Sequence, residues 1–168
     1  MRYKLNILLA FLCMSMLCHA QETPSLRFSE NGEFKIVQFT DTHYKWGKKA
    51  SQTAVDCMVE VLDAEKPDFV ILTGDQVYSP SVAKSLPALL ACISERKIPF
   101  ATVFGNHDSE YECTRAEMYD LVRALPYNIQ PDRGGVDSPD YTLTVLSSDG
   151  TRPAAVFYRM DTHRGSKL

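Results

Sequence analysis

The chain has 168 residues, 18 basic and 21 acidic, with a formal charge of −3. That length allows one domain or part of one, and the acidic balance excludes a generic electrostatic grip on nucleic acid. Hydrophobic residues make up 45% of the chain, enough for a packed core and far from the composition of a disordered segment.

The first element is Arg2 and Lys4 followed by the apolar run Leu5 to Leu17. A stable transmembrane helix needs roughly 20 apolar residues, so this shorter run reads as a secretory signal peptide and no stable membrane anchor is expected. Cys18-His19-Ala20 sets small residues at the two positions a signal peptidase reads, which predicts cleavage before Gln21. Residues 1–20 take two basic and no acidic side chains with them, so residues 21–168 carry −5. The expected location is periplasmic or secreted. A lipoprotein anchored at Cys18 is the competing reading, disfavoured by Leu17 where lipid attachment wants a small residue. Cys57, Cys92 and Cys113 remain; so odd and sparse a set predicts buried thiols, not a disulfide framework or zinc knot.

After a polar leading segment, Gln21 to Glu33, the run Phe34 to Phe39 predicts a strand that ends in Thr40-Asp41-Thr42-His43. Val55, Met58, Val59 and Leu62 mark one helix face, closed by Lys66-Pro67. Phe69 to Leu72 is the next strand. Leu86, Leu89, Leu90 and Ile93 form a second helical stripe, Phe100 to Phe104 a third strand, and Met118, Leu121, Val122 and Leu125 a third stripe. Both methionines are expected in the core. The order is βαβαβα, and strands apolar on both faces between amphipathic helices imply parallel pairing and an α/β layered fold. Beyond the loop carrying Pro126, Pro131, Gly134, Gly135 and Pro139, Tyr141 to Leu146 and Ala154 to Met160 flank a polar turn and predict a β-hairpin. The tripeptide Asp-Thr-His occurs twice, at 41–43 and 161–163.

Ligands of open α/β sheets gather beyond the carboxyl ends of the strands. Three polar clusters fall there: Asp41-Thr42-His43, Thr73-Gly74-Asp75 and Gly105-Asn106-His107-Asp108. Carboxylate and imidazole donors together suit zinc, iron or manganese, whereas calcium would take oxygen alone. Residues i and i+2 at a strand end can point the same way, as a shared metal would require of Asp41 and His43. Gly74 and Gly105 allow the tight turns that aim Asp75 and Asn106 at a common point. Singly, Asp41, Asp75 and Asn106 would be ordinary turn formers; in order at successive strand ends, they read as metal binding.

Asp-x-His, then Gly-Asp, then Gly-Asn-His-Asp, each after a predicted parallel strand, resembles the calcineurin-like metallophosphoesterase superfamily over Phe34 to about Met160. The flavour of Phe39 to Tyr44 and the secretory start look most like its purple-acid-phosphatase-related branch. The resemblance implies that Asp41 and His43 bind the first of two divalent or mixed-valence metal ions (Fe, Zn or Mn). By the same resemblance Asp75 bridges both ions, Asn106 binds the second, His107 faces the phosphate, and Asp108 orients His107. The metals would acidify a water for attack on a small-molecule phosphate ester, with His107 stabilising charge or protonating the leaving oxygen.

The pattern departs from the family in two places. Family members close the site with three further histidines, one in a late strand-end motif and two in Gly-His-x-His, and neither motif occurs here, so the C-terminal half of the fold is expected to be missing. Residues 21–168 then form the N-terminal portion of the phosphoesterase domain, and His163 reads as an exposed tail residue. Gly74-Asp75-Gln76-Val77-Tyr78 also fits the Gly-Asp-x-x-Tyr of true purple acid phosphatases, where tyrosine ligates iron. A shell with both His43 and Tyr78 would be overfilled, so Tyr78 stands as an alternative outside the expected ligand set. Tyr44 and Trp46 either line a substrate mouth or pack over the first loop, and Lys45, Lys48 and Lys49 read as a solvated basic run. The leading functional expectation is a metal-dependent phosphoesterase acting on mono- or diesters. The alternatives are a truncated non-catalytic remnant or phosphate-binding module of the same fold, and a structural α/β domain with accidental motifs.

Overall fold

Three short apolar runs set the frame, and in the computed structural model, which describes residues 24–162, they are all strands. The signal-peptide reading of residues 1–20 and the tail reading of His163 lie outside the described residues. In chain order the elements are β1 (Leu26–Arg27), β2 (Ile36–Phe39), α1 (Lys49–Glu65), β3 (Phe69–Leu72) and α2 (Val82–Ser94). They continue with β4 (Phe100–Thr102), α3 (Arg115–Arg123), β5 (Tyr141–Leu146) and β6 (Pro153–Arg159). The expected α/β architecture is present: β2, β3 and β4 form a parallel sheet in chain order, with helices between them.

Register is what matters for the site. Phe39 lies opposite Leu72, and Leu72 opposite Thr102. The three strands therefore finish level, and the polar segments that follow them leave from one edge of the sheet.

One face of this sheet packs against the helices. Val70, Leu72 and Phe100 join Met58 and Leu62 of α1, Leu86, Leu89, Leu90 and Ile93 of α2, and Met118 and Val122 of α3 in one core cluster. The first and third helices also have a local reason to stop or start. Lys66 at the end of α1 takes a left-handed conformation, φ 47°, with its N–H on the Leu62 carbonyl, and Pro67 bars continuation. Thr114 caps α3 in a reciprocal box with Glu117, an arrangement that satisfies two otherwise orphaned amides.

The other face meets a second sheet, ordered β1-β5-β6. Phe69 and Ala101 pack there with Leu26, Ile129, Leu143 and Val145, and the Phe69 and Phe157 rings stack at 6.0 Å. The β5–β6 hairpin is the expected one, antiparallel with Tyr141 opposite Arg159. The free side of β4 is closed by the segment after α3: Ile129 N donates to Phe100 O at 3.0 Å and Thr102 N to the Gln130 side chain at 2.9 Å.

Five readings are corrected. The leading segment is not merely polar, because Leu26 is 4% exposed and forms β1 beside β5; two residues are too few to show a period. The first strand begins at Ile36 instead of Phe34, whose ring turns to Phe28 at 5.7 Å. The third ends at Thr102, short of Phe104, where the chain turns toward Gly105. Burial on both faces holds for β3 and β4, whereas β2 is an edge strand with Ile36 exposed. Among the thiols, Cys92 and Cys113 are buried but Cys57 is exposed, since it sits off the Met58–Leu62 stripe of α1. No helix among the described residues is long and apolar enough to cross a membrane.

Two outcomes follow. Phe69→Ala should lower the unfolding free energy measured in urea by about 3–5 kcal/mol, the range for truncating a buried aromatic ring. In residues 21–168, Ellman's reagent should label Cys57 rapidly at pH 8. Burial pushes the Cys92 thiol up to about 11, so Cys92 should react only after unfolding; fast labelling of two or more thiols would contradict this packing.

Candidate metal centre

The segments after β2 and β3 run side by side beyond the sheet. Asp41 N donates to Gly74 O (3.1 Å), His43 N to Asp75 O (3.0 Å) and Tyr44 N to Gln76 O (2.9 Å), while the Thr42 hydroxyl donates to Gln76 O (2.7 Å). This ladder brings Asp41, His43 and Asp75 together, with one donor atom of each within 4.8 Å of the others. His43 Nε2 lies 3.9 Å from Asp41 Oδ1 and 3.8 Å from Asp75 Oδ2. All three residues are in left-handed backbone, with φ of 55°, 44° and 51°, and they are half of the non-glycine residues with positive φ among the described residues. Asp, Asn and His enter this region more readily than other side chains, but it still costs backbone energy. What the turns gain is aim, since they direct two carboxylates and an imidazole at one point.

The third segment closes on the second through two glycines. A Cβ on Gly74 would lie 2.8 Å from Gly105 Cα, and one on Gly105 would land on the backbone N and Oδ1 of Asp75. With the backbones in contact, His107 N donates to Asp75 Oδ1 at 2.9 Å. Asp75 thus turns one oxygen to the His107 loop and the other toward His43, and its side chain is only 13% exposed. Asn106 lies on the same loop immediately before that amide and is exposed.

The His107 ring sits 5.4 Å from the His43 ring and 5.4 Å from Tyr78. Its Nδ1 is 2.9 Å from Glu110 Oε1. A carboxylate can only accept, so Nδ1 carries the hydrogen. Glu110 therefore takes the orienting part expected of Asp108, and this is a correction. Asp108 is fully buried and accepts from Val77 N (2.9 Å) and Gly105 N (2.7 Å), tying the second and third segments together. Burial pushes its carboxyl above the usual range, against the pull of those backbone amides. The signal for this contact is an acidic residue three places after the histidine.

Around this group Tyr44 is packed into the core, whereas Trp46 stands 54% exposed. Lys45 is not simply solvated, since its Nζ lies 4.4 Å from the centre of the Tyr78 ring. Tyr78 meets Tyr111 edge to face at 5.3 Å, and a hydrogen bond with Tyr78 pushes the Tyr111 phenol above its ordinary range.

An Asp, His, Asp donor set of mixed oxygen and nitrogen, at the carboxyl edge of a parallel sheet where ligands gather, is suited to a first-row metal ion. Residues 34–159 match the calcineurin-like phosphoesterase family, and the chain belongs to it. It is 32% identical over 168 residues to a probable inactive purple acid phosphatase 14 of Arabidopsis thaliana, covering 87% of this chain and 41% of that protein. It is 38% identical over 136 residues to probable inactive purple acid phosphatase 29 of the same plant, covering 70% and 35%. It is 32% identical over 169 residues to the phosphatase DCR2 of Saccharomyces cerevisiae, covering 85% and 29%. The chain thus spans between 29% and 41% of the length of these relatives. The family characteristically binds divalent metals, and the Asp41, His43 and Asp75 donors, mixed oxygen and nitrogen, fit such an ion.

Gly105→Ala tests the close approach. Its methyl meets backbone, which cannot swing aside, so a loss of about 1–3 kcal/mol is expected in chemical denaturation. Gly134→Ala, which unlike Gly105 is in left-handed backbone (φ 60°) and has nothing within 4 Å, should show only the conformational cost, about 1 kcal/mol.

Proposed function

We propose that this chain is the ligand-bearing N-terminal portion of a secreted or periplasmic phosphoesterase that hydrolyses small-molecule phosphate esters at a site for two metal ions, iron, zinc or manganese. The observation that carries the reading is the convergence of Asp41, His43 and Asp75 at one edge of the parallel sheet, with the His107 amide bonded to Asp75. Asp41 and His43 would hold the first ion, Asp75 both, and Asn106 the second. When bound, the ions supply neutralisation of phosphate charge and a more acidic water.

The chain's own residues do the rest. Asp75 is held by the His107 amide, so its two oxygens face different loops and can serve two ions. Glu110 fixes the His107 ring through Nδ1–H and would stabilise its cationic form, in which Nε2 carries the second proton and can donate it to the departing ester oxygen or to a phosphate oxygen. No strongly basic surface is needed, because the substrate is small and the metal ions carry the positive charge. The location rests on the signal-peptide reading of residues 1–20.

A second reading, metal binding without turnover, draws on the names of two Arabidopsis relatives, both called probable inactive phosphatases, and on the three family histidines whose motifs this sequence does not contain. One experiment separates the two. Residues 21–168 are loaded with Mn²⁺, Zn²⁺ or Fe²⁺ and assayed with p-nitrophenyl phosphate alongside metal analysis. Weak metal uptake with poor turnover is expected, and uptake should be lost in Asp75→Ala. Robust turnover abolished by Asp75→Asn would show that the donors present suffice. In a protein carrying the further histidines, His107→Ala should cost about 10²–10⁴-fold in turnover, the usual contribution of a general acid, with metal content retained. Equal metal loss in the His107 and Asp75 variants would make His107 a ligand.

A further inference from the structure

The second Asp-Thr-His sequence begins at Asp161, just past the end of β6, and Asp161 pairs with a buried cation. Arg115 Nη1 lies 2.9 Å from Asp161 Oδ2, and their side chains are 9% and 1% exposed. The same guanidinium donates to Gly105 O at 2.8 Å through Nη2 and to Phe104 O at 3.4 Å through Nη1. Asp161 is itself located by its own N–H, which donates to Asp140 Oδ1 at 2.8 Å.

We propose that the buried Arg115–Asp161 pair is a positioning device for the Asn106–His107 loop, holding it against Asp75. This rests, in its functional part, on the phosphoesterase reading above. Three features carry it. Arg115 is the first residue of α3, where a cation opposes the helix dipole, so helix stability does not account for it. A guanidinium offers a rigid fork of donors and fixes direction as well as distance; here the fork grips successive carbonyls immediately before Asn106. A buried guanidinium needs a counter-charge, and the chain returns from β6, 46 residues later, to supply Asp161.

The loop is thus gripped from two sides. Arg115 holds the carbonyls of Phe104 and Gly105, while Asp108 and Asp75 hold the amides of Gly105 and His107. Asp161 is in this account a positioning residue, not a metal donor, which gives the repeated tripeptide a different task at each occurrence.

The test is amide hydrogen exchange by NMR on residues 21–168, with Mn²⁺ titration of the same samples. Asp161→Asn is near-isosteric and removes the charge; Arg115→Lys keeps the charge without the fork. In Asp161→Asn the Gly105 and His107 amides should exchange about tenfold faster relative to β3 amides, as local opening without global unfolding requires. The Mn²⁺ dissociation constant should rise by a similar factor, and Arg115→Lys should lie between wild type and Asp161→Asn in both readouts. Exchange at Gly105 and His107 unchanged, or accelerated only in step with β3, would overturn the proposal, as would a loosened loop with unaltered Mn²⁺ affinity. If the wild-type chain takes up no Mn²⁺, the metal reading fails by itself, and the exchange comparison still decides whether the pair holds the loop.

Discussion

Between Gly74 and Gly105 there is room for backbone and nothing else. A Cβ on Gly74 would come within 2.8 Å of Gly105 Cα, and from this contact the rest of the site takes its geometry. Because the backbones touch, the His107 amide reaches an Asp75 oxygen and Asp108 spans from Gly105 to Val77. The level ends of β2, β3 and β4 bring the three segments to the same edge; the glycine contact turns a shared edge into a shared point. A parallel sheet alone would leave the ligand loops beside each other but unlinked.

The second sheet has a related role. Arg159 of β6 is buried and donates to Leu72 O at 2.8 Å, at the end of β3, while Tyr141 of β5 donates to Thr102 O at 2.9 Å, at the end of β4. Both contacts fall on the last residues before the ligand segments. Burial raises the Tyr141 phenol well above its ordinary range and lowers the Arg159 guanidinium, each partly relieved by the other. The hairpin therefore braces the strand ends as well as covering Phe69 and Ala101. Polar groups placed this deep keep their hydrogen bonds only in one arrangement of the two sheets, which favours a unique packing over a sliding one.

Much of this was legible in the sequence, and the reason is periodicity. The Leu86, Leu89, Leu90, Ile93 stripe and the apolar runs at Phe69 and Phe100 are long enough to show a period, and each is buried as expected. The motif segments were legible because Asp, Gly, Asn and His at strand ends have few structural reasons to recur in order. What escaped was short or non-local. β1 is too brief for alternation to register, and Cys57 lies on the exposed side of α1. Glu110 competes in the sequence with the adjacent Asp108, although a spacing of three places a carboxylate near the ring more naturally than a neighbour does. The Arg115–Asp161 contact spans 46 residues, and one sequence contains no local trace of such a pairing.

The left-handed backbone at Asp41 and Asp75 has a consequence beyond aiming their side chains. Asparagine and glycine occupy that region at least as easily as aspartate, so neither would strain the turn itself, but at Asp75 only asparagine keeps an oxygen for the His107 amide. A carboxylate at either position can therefore give way to asparagine while the sheet and the loops persist. Selection for folding alone does not defend the negative charge at these two positions.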